Sequence, residues 1–244
     1  IKISTSQVSE AIRVLQGHFV SKEAEYQKFR QIDILENDPA GMIKRLQSYT
    51  ERLTHIPFYT QVEDIIKVGI ARYKEKYLPG LKSEDPFVLY EKYSRRDVSL
   101  LMNCGKDLSS IMYGMKRIEN DVFIFITYHK EESQDEKNYV DGKPDYADAF
   151  EDNLIFKWDS QIGKGLDSSY MKDVLGADRK HLFVKKSDAE TSFYYMGQFD
   201  VLEARNAQKE DNRGRMQPIT KVTMKMHHAV REDLLRYLQS HITA

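Results

Sequence analysis

"IMYGMKRIENDVFIFITYHK", residues 111–130, decides the fold class. Two runs rich in β-branched and aromatic residues, Ile111–Ile118 and Val122–Tyr128, flank Glu119-Asn120-Asp121, whose residue types suit a hairpin turn. Strand patterns then continue toward the C-terminus at Leu154–Trp158, His181–Lys185, Phe193–Met196, Phe199–Arg205 and Ile219–His228. The last alternates cleanly, with Val222, Met224 and Met226 on one face and Lys221, Thr223, Lys225 and His227 on the other. A closing helix over Val230–Ile242 repeats Leu234, Leu235 and Leu238. Strands at irregular spacing, few helices between them and long polar loops predict a curved antiparallel sheet or small barrel. Parallel winding is not expected, because the connections lack crossover helices.

Toward the N-terminus the pattern changes. A helix over residues 86–93 leads into Ser94-Arg95-Arg96-Asp97, a capped helix start followed by Val98, Leu100, Leu101 and Met102. Before that, apolar residues recur at helical spacing: Val8, Ile12, Leu15 and Phe19; Met42, Ile43, Leu46, Tyr49 and Leu53 after Asp38-Pro39; then Val62, Ile65, Ile66, Ile70, Tyr73 and Tyr77, ended by Leu78-Pro79-Gly80. The reading is α+β: a helical bundle over residues 1–85, then a β-rich domain with flanking helices over 86–244.

At 244 residues, with 41% hydrophobic and 31% charged residues, the chain is long and apolar enough to bury a core. Its apolar runs fall far short of the roughly 20 residues that a membrane-spanning helix needs, and nothing resembles a secretory leader. The start at Ile1 rather than methionine predicts a piece of a longer protein. The single cysteine, Cys104, excludes an internal disulfide or multi-cysteine zinc site and fits a reducing cytoplasm. Net charge is −1, yet charge is segregated: nine acids against two lysines over 131–152, and seven Lys/Arg against Glu210 and Asp211 over 205–231. Each run reads either as a solvated face or, for the basic one, as a strip that tracks a phosphate backbone.

No phosphate-binding loop, zinc-protease helix, nucleophile elbow or kinase signature occurs, and Gly163-Lys164-Gly165 lacks the strand–loop–helix frame of a nucleotide site. The histidines are scattered, and His227-His228 on a strand point to opposite faces. No catalytic residue, metal or cofactor is therefore expected in this chain. What stands out is an aromatic cluster, Tyr128, Tyr139, Tyr146, Phe150, Phe156, Trp158 and Tyr170, around a polar stretch and a glycine-containing loop. Trp158, the only tryptophan, reads either as core or as the wall of a pocket. A flat base between aromatic faces gains about 1–3 kcal/mol from stacking.

The blocks "LYEKYSRRDVSLLM" (89–102), "FIFITYHK" (123–130), "YADAFEDNLIFKWDSQ" (146–161), "HLFVKK" (181–186) and "ITKVTMKMHH" (219–228) resemble successive blocks of one bacterial domain family. That family lies at the C-terminus of large proteins carrying a phospholipase-D-like nuclease and a superfamily-2 helicase. The nearest resemblance is to the SauUSI type of ATP-dependent type IV, modification-dependent restriction endonucleases, which serve phage defence. It implies an SRA-like or PUA-like β-barrel that reads 5-methylcytosine in double-stranded DNA. Residues 1–85 would be a connector after the helicase, and the helicase and nuclease domains of the same polypeptide would be partners.

Reading by base flipping must recover a few kcal/mol of unstacking. The methyl group alone adds only about 0.8 kcal/mol. On the resemblance, Trp158 with Tyr146 or Phe150 would hold the base, Asp148 or Asp159 would accept from its N4 amine, and Ser160 and Gln161 would hold its edge or the backbone. Arg95, Arg96, Lys164, Arg213 and Arg215 would meet phosphates. Two other readings stay open: a module coupling helicase to nuclease without reading bases, and a reader of modified RNA.

Overall fold

Asp121 and Ile118 close a two-residue hairpin, with Glu119 in the left-handed region at φ 52°, as the turn residues predict. This is seen in a computed structural model that describes residues 5–20, 33–37, 42–78, 85–129, 139–140, 143–144, 148–211 and 213–240. In chain order its strands are β1 Leu35–Asn37, β2 Ile43–Arg45, β3 Lys92–Tyr93, β4 Met115–Ile118, β5 Asp121–His129, β6 Tyr139–Val140, β7 Lys143–Pro144, β8 Ala149–Phe150, β9 Ile155–Asp159, β10 Arg179–Ser187, β11 Phe193–Glu210 and β12 Met216–Met226. The chain divides into two units, Ile1–Val88 with Arg96–Ser109, and Leu89–Arg95 with Ser110–Ala244.

In the first unit, helices Thr5–Leu15, Gln47–Arg52 and Ile56–Arg72 accompany the short ribbon β1–β2. The expected helical bundle is not seen among the described residues. Ile43–Arg45 are extended and pair with Leu35–Asn37 instead of continuing a helix from Asp38-Pro39, which themselves lie outside the described residues. Helix Ile56–Arg72 forms where its stripe predicts, with Pro57 in its first turn, but buries no residue; Ile65 is 72% exposed. Periodicity fixes which face of a helix is apolar, not what covers it. Arg96 is held by Asp107, Nε to Oδ2 2.8 Å.

The second unit is built on one sheet in the order β4-β5-β10-β11-β12-β9-β8, with β3 added to β11. Strand β5 is buried on both faces, as a central strand must be. Val122, Ile124, Ile126 and Tyr128 join Leu182, Val184, Phe156, Trp158, Met224 and Met226 in one core, shared with Met171 and Val174 of helix Ser169–Leu175 and with Leu234 and Leu238 of helix Glu232–Gln239. On the other face, Phe123 stacks on His181 (4.9 Å) and Phe125 on Phe183 (5.1 Å).

Three expectations are corrected here. Strand β10 runs parallel to β5, Arg179 opposite Asp121 through Ser187 opposite His129, so the sheet is mixed. The chain between them carries β8, β9 and a seven-residue helix, which together make the crossover. The barrel is not closed among the described residues, since β4 and β8 end the sheet unpaired with each other. Residues 86–93 form turns and β3 rather than a helix: Tyr90 has φ 66°, and Lys92 and Tyr93 pair with Tyr194 and Phe193.

Buried between β5, β10 and β11 is a polar network. His181 bridges the Tyr195 hydroxyl (2.9 Å) and Asp121 (2.8 Å), and Arg179 binds Asp121 through two bonds of 2.7 and 2.8 Å. Burial alone would raise the Asp121 pKa, but the bonds from His181 and Arg179 outweigh it and hold the carboxyl at about 2. Asp121, His181 and Tyr195 are all buried, so this acid–imidazole–hydroxyl row ties strands together.

Candidate functional site

Strand β9 decides where the site lies. Its alternation sends Phe156 and Trp158 into the core and turns Lys157 and Asp159 the other way. Asp159 faces Lys221 across the β9–β12 ladder, and its carboxylate lies 3.8 Å from both Lys209 and Lys221. Beyond Asp159 the chain leaves the sheet and is clamped at once. The Ser160 hydroxyl accepts the Thr220 amide (2.8 Å) and donates to the Lys164 carbonyl (2.6 Å), which also accepts from the Thr220 hydroxyl (3.0 Å). Gly163, at φ 82°, lets the loop turn so that its amide reaches the Pro218 carbonyl at 2.9 Å.

This loop borders a pocket of about 580 Å³, the size of a small-ligand site. Its aromatic lining comes from Trp158, Tyr170, Tyr128, Tyr113 and Phe125, and its polar lining includes Asp148, Asp159, Gln161, Thr127, Arg95 and Lys209. Trp158 is only 4% exposed and lies tilted to Tyr170, with centroids 6.3 Å apart. The Asp148 carboxylate is buried and accepts the Asp159 amide at 2.9 Å. Gln161 donates its side-chain amide to the Tyr113 carbonyl at 3.1 Å.

Arg95 opens helix Arg95–Leu101 with its guanidinium 4.8 Å from the Tyr113 ring centre, 5.1 Å from Phe193 and 5.7 Å from Phe125. Burial lowers its pKa from the ordinary arginine value, yet a guanidinium stays charged at neutral pH. Burial, with the Asp148 charge added, pushes the Tyr170 phenol up, so it stays protonated. The pocket lining thus offers aromatic faces, two carboxylates, an amide, three phenols and two cations. Among the described residues no group of three His, Cys, Asp or Glu is placed to hold a metal ion.

Of the residues expected around a base, Trp158, Asp148, Asp159, Ser160 and Gln161 come together here. Tyr146 lies outside the described residues. Phe150 does not line the pocket; it packs edge-on against Phe156 in the core, centroids 4.7 Å apart. Ser160 is spent on the loop clamp. Of the expected phosphate residues, Arg95 lines the pocket and Lys164 places its ammonium 6.0 Å from the Tyr170 ring centre. Arg96 belongs to the other unit. Arg213 and Arg215 lie at the β11–β12 turn, where Arg215 grips Asp211 through two bonds of 3.0 and 2.8 Å. Sequence reading missed Tyr113, Phe125 and Lys209, and named Tyr170 only as one aromatic among seven. Lys209 carried a signal, since it falls in the basic run.

Residues 87–238 match a family model described as "Domain of unknown function (DUF3427)". Comparison with curated proteins finds no match. Solved structures with some likeness include Arabidopsis thaliana SUVH6 in complex with SAM (9% identity, TM-score 0.38, 62% of this chain and 28% of that one). Others are the sulfur-binding and SRA domains of ScoMcrA complexed with phosphorothioated DNA (10%, 0.33, 70% and 56%) and the MspJI restriction endonuclease with a 27-mer oligonucleotide (11%, 0.30, 48% and 37%). The chain therefore spans about a quarter to just over half the length of these proteins.

Proposed function

For this chain, which belongs to the DUF3427 family over residues 87–238, we propose that the pocket in the sheet unit reads modified DNA by receiving a flipped 5-methylcytosine. The observation that carries the reading is the pairing, in one pocket of about 580 Å³, of an aromatic lining with a buried carboxylate and two cationic side chains. Extruding a base costs a few kcal/mol. Stacking on Trp158 and Tyr170 offsets about 1–3 kcal/mol of that. Asp148 accepts from the N4 amine, Gln161 meets the base edge, and Arg95, Lys164 and Lys209 attract the flanking phosphates. The methyl group adds about 0.8 kcal/mol if it displaces no protein atom, so the pocket shape must supply the rest of the discrimination.

In this reading the sheet unit is the specificity module of an ATP-dependent type IV restriction enzyme whose helicase and nuclease domains belong to the same polypeptide. A second reading, a coupling module that reads no base, is favoured by one observation in the other unit: helix Ile56–Arg72 leaves Ile65, Ile66, Val68 and Ile70 exposed.

Trp158 is the chain's only tryptophan, so its fluorescence reports on the pocket directly. Matched duplexes bearing cytosine or 5-methylcytosine are titrated at moderate salt, with a modified RNA strand alongside. The expected result is a methyl-dependent gain in affinity with quenching of Trp158. Equal weak binding to both duplexes leaves the coupling reading, and preference for the RNA strand replaces the DNA ligand.

A further inference from the structure

We infer that Tyr170 is a specificity-determining residue whose hydroxyl donates a hydrogen bond to an acceptor on the base that enters the pocket. The inference rests on the base-pocket reading above.

The Tyr170 oxygen is buried and has no hydrogen-bond partner among the described residues, although it belongs to a residue that lines the pocket. A buried hydroxyl without a partner is costly, and proteins retain one mainly where something else completes it. Its ring is held in place: it leans on Trp158, lies beneath the Lys164 ammonium and packs against the core from helix Ser169–Leu175. That helix is capped by Ser168, whose hydroxyl accepts the Met171 amide at 3.2 Å, so the tyrosine sits in a fixed first turn.

Beside the hydroxyl, a glycine makes room for the Gln161 amide. A Cβ on Gly114 would lie 3.3 Å from the Tyr170 oxygen and 2.6 Å from Gln161 Nε2, and Gly114 has φ 73°, where other residues are strained. The phenol and the Gln161 amide therefore both pack against Gly114, and both residues line the pocket. With its proton retained, the phenol is a donor, and cytosine offers the acceptors N3 and O2 on the edge that carries the N4 amine. A donor here and the buried Asp148 carboxylate in the same lining give complementary groups for that edge. A base lacking a matching acceptor would leave the hydroxyl orphaned, which is how hydrogen-bonding sites reject wrong ligands.

Tyr170→Phe keeps the ring and removes only the hydroxyl. Wild type and Y170F are compared on a duplex with one 5-methylcytosine, on the same duplex with unmodified cytosine, and on one with an abasic site at that position. Thermal unfolding of both free proteins runs alongside. The expected result is an about tenfold loss for Y170F on the 5-methylcytosine duplex, a change under about twofold on the abasic duplex, and a free-protein Tm no lower than wild type. Equal losses on the 5-methylcytosine and abasic duplexes, no loss on the 5-methylcytosine duplex, or a lower Tm overturns the inference. If wild type itself fails to prefer 5-methylcytosine, the base-pocket reading falls and takes this one with it. A selective wild type with an unaltered Y170F sinks only the role of Tyr170.

Discussion

Ser160→Ala separates a loop clamp from a base contact. The Ser160 hydroxyl makes two bonds inside the protein, accepting from the Thr220 amide and donating to the Lys164 carbonyl. Thr220 is fully buried, so removing the hydroxyl leaves its N–H without that acceptor in a place water does not reach. An orphaned buried donor costs about 1–3 kcal/mol. The Lys164 carbonyl fares better, because the Thr220 hydroxyl still donates to it at 3.0 Å. Two backbone bonds, Ser160 to Thr220 (2.9 Å) and Gly163 to Pro218 (2.9 Å), also survive. The expected loss is therefore about 2 kcal/mol, mostly from one amide. For a unit of about 140 residues that corresponds to a fall in Tm of roughly 6–8 °C.

Unfolding followed by Trp158 fluorescence measures this, since that side chain sits in the core of the same unit two residues away. Well below the transition, S160A should keep its preference between cytosine and 5-methylcytosine duplexes within about twofold, because the hydroxyl is already engaged. Adding Thr220→Val strips the Lys164 carbonyl of its remaining donor, so the double variant should lose about 1 kcal/mol more than the two singles summed. An S160A protein that melts like wild type but no longer discriminates the two duplexes would refute the clamp and return Ser160 to the base edge.

Three further outcomes are expected. Gly114→Ala forces a Cβ into left-handed backbone and against Gln161 Nε2, so it should cost about 1–2 kcal/mol and weaken quenching of Trp158 by DNA; wild-type melting and quenching would show that Gln161 can give way without loss. Arg95→Met keeps the apolar stem among the three rings but removes the charge, so affinity should fall equally for both duplexes and the salt slope should shrink by about 1; an unchanged slope would place Arg95 away from phosphate. The Asp121 carboxyl is depressed from its ordinary 3.8 to about 2. Its stabilisation is thus complete above pH 4 and lost as pH falls from about 4 through 2. Because its partner Arg179 is 42% exposed and screened by water, about 1–2 kcal/mol is expected rather than the full linkage value. Urea unfolding between pH 2 and 5 should show this slope in wild type and a shallower one in Asp121→Asn.

The hairpin at 118–121 and the alternation of β12 were legible because both are local, and their signals lie within a few residues. The parallel pairing of β5 with β10 was not. Its partners are 58 residues apart, Asp121 against Arg179, and the connection hides its crossover in short strands and a seven-residue helix. Residues 86–93 carry Phe87, Val88, Tyr90 and Tyr93, a set that suits a helix or a turn leading into a strand. What decides is the left-handed Tyr90, whose hydroxyl donates to the Ala229 carbonyl at 2.7 Å, 139 residues away. No local window contains that bond.

The same distinction sorts the site. Asp148, Trp158, Asp159 and Gln161 were found together because β8, β9 and the loop after them bring one short stretch to one pocket. Tyr113, Phe125 and Lys209 enter it from strands and loops at least 23 residues away from that stretch, and only Lys209, in the basic run, carried a mark of its own. Polar residue type was the misleading signal. Ser160 and Gln161 follow the same strand and look equally suited to a ligand, but the first faces Thr220 and Lys164 and is consumed in holding the loop, while the second reaches over Gly114 into the pocket. A hydroxyl that has partners holds a fold, and one that lacks them awaits a ligand. By that criterion the reading moves from Ser160 to Tyr170, which the sequence marked only as one of seven clustered aromatics.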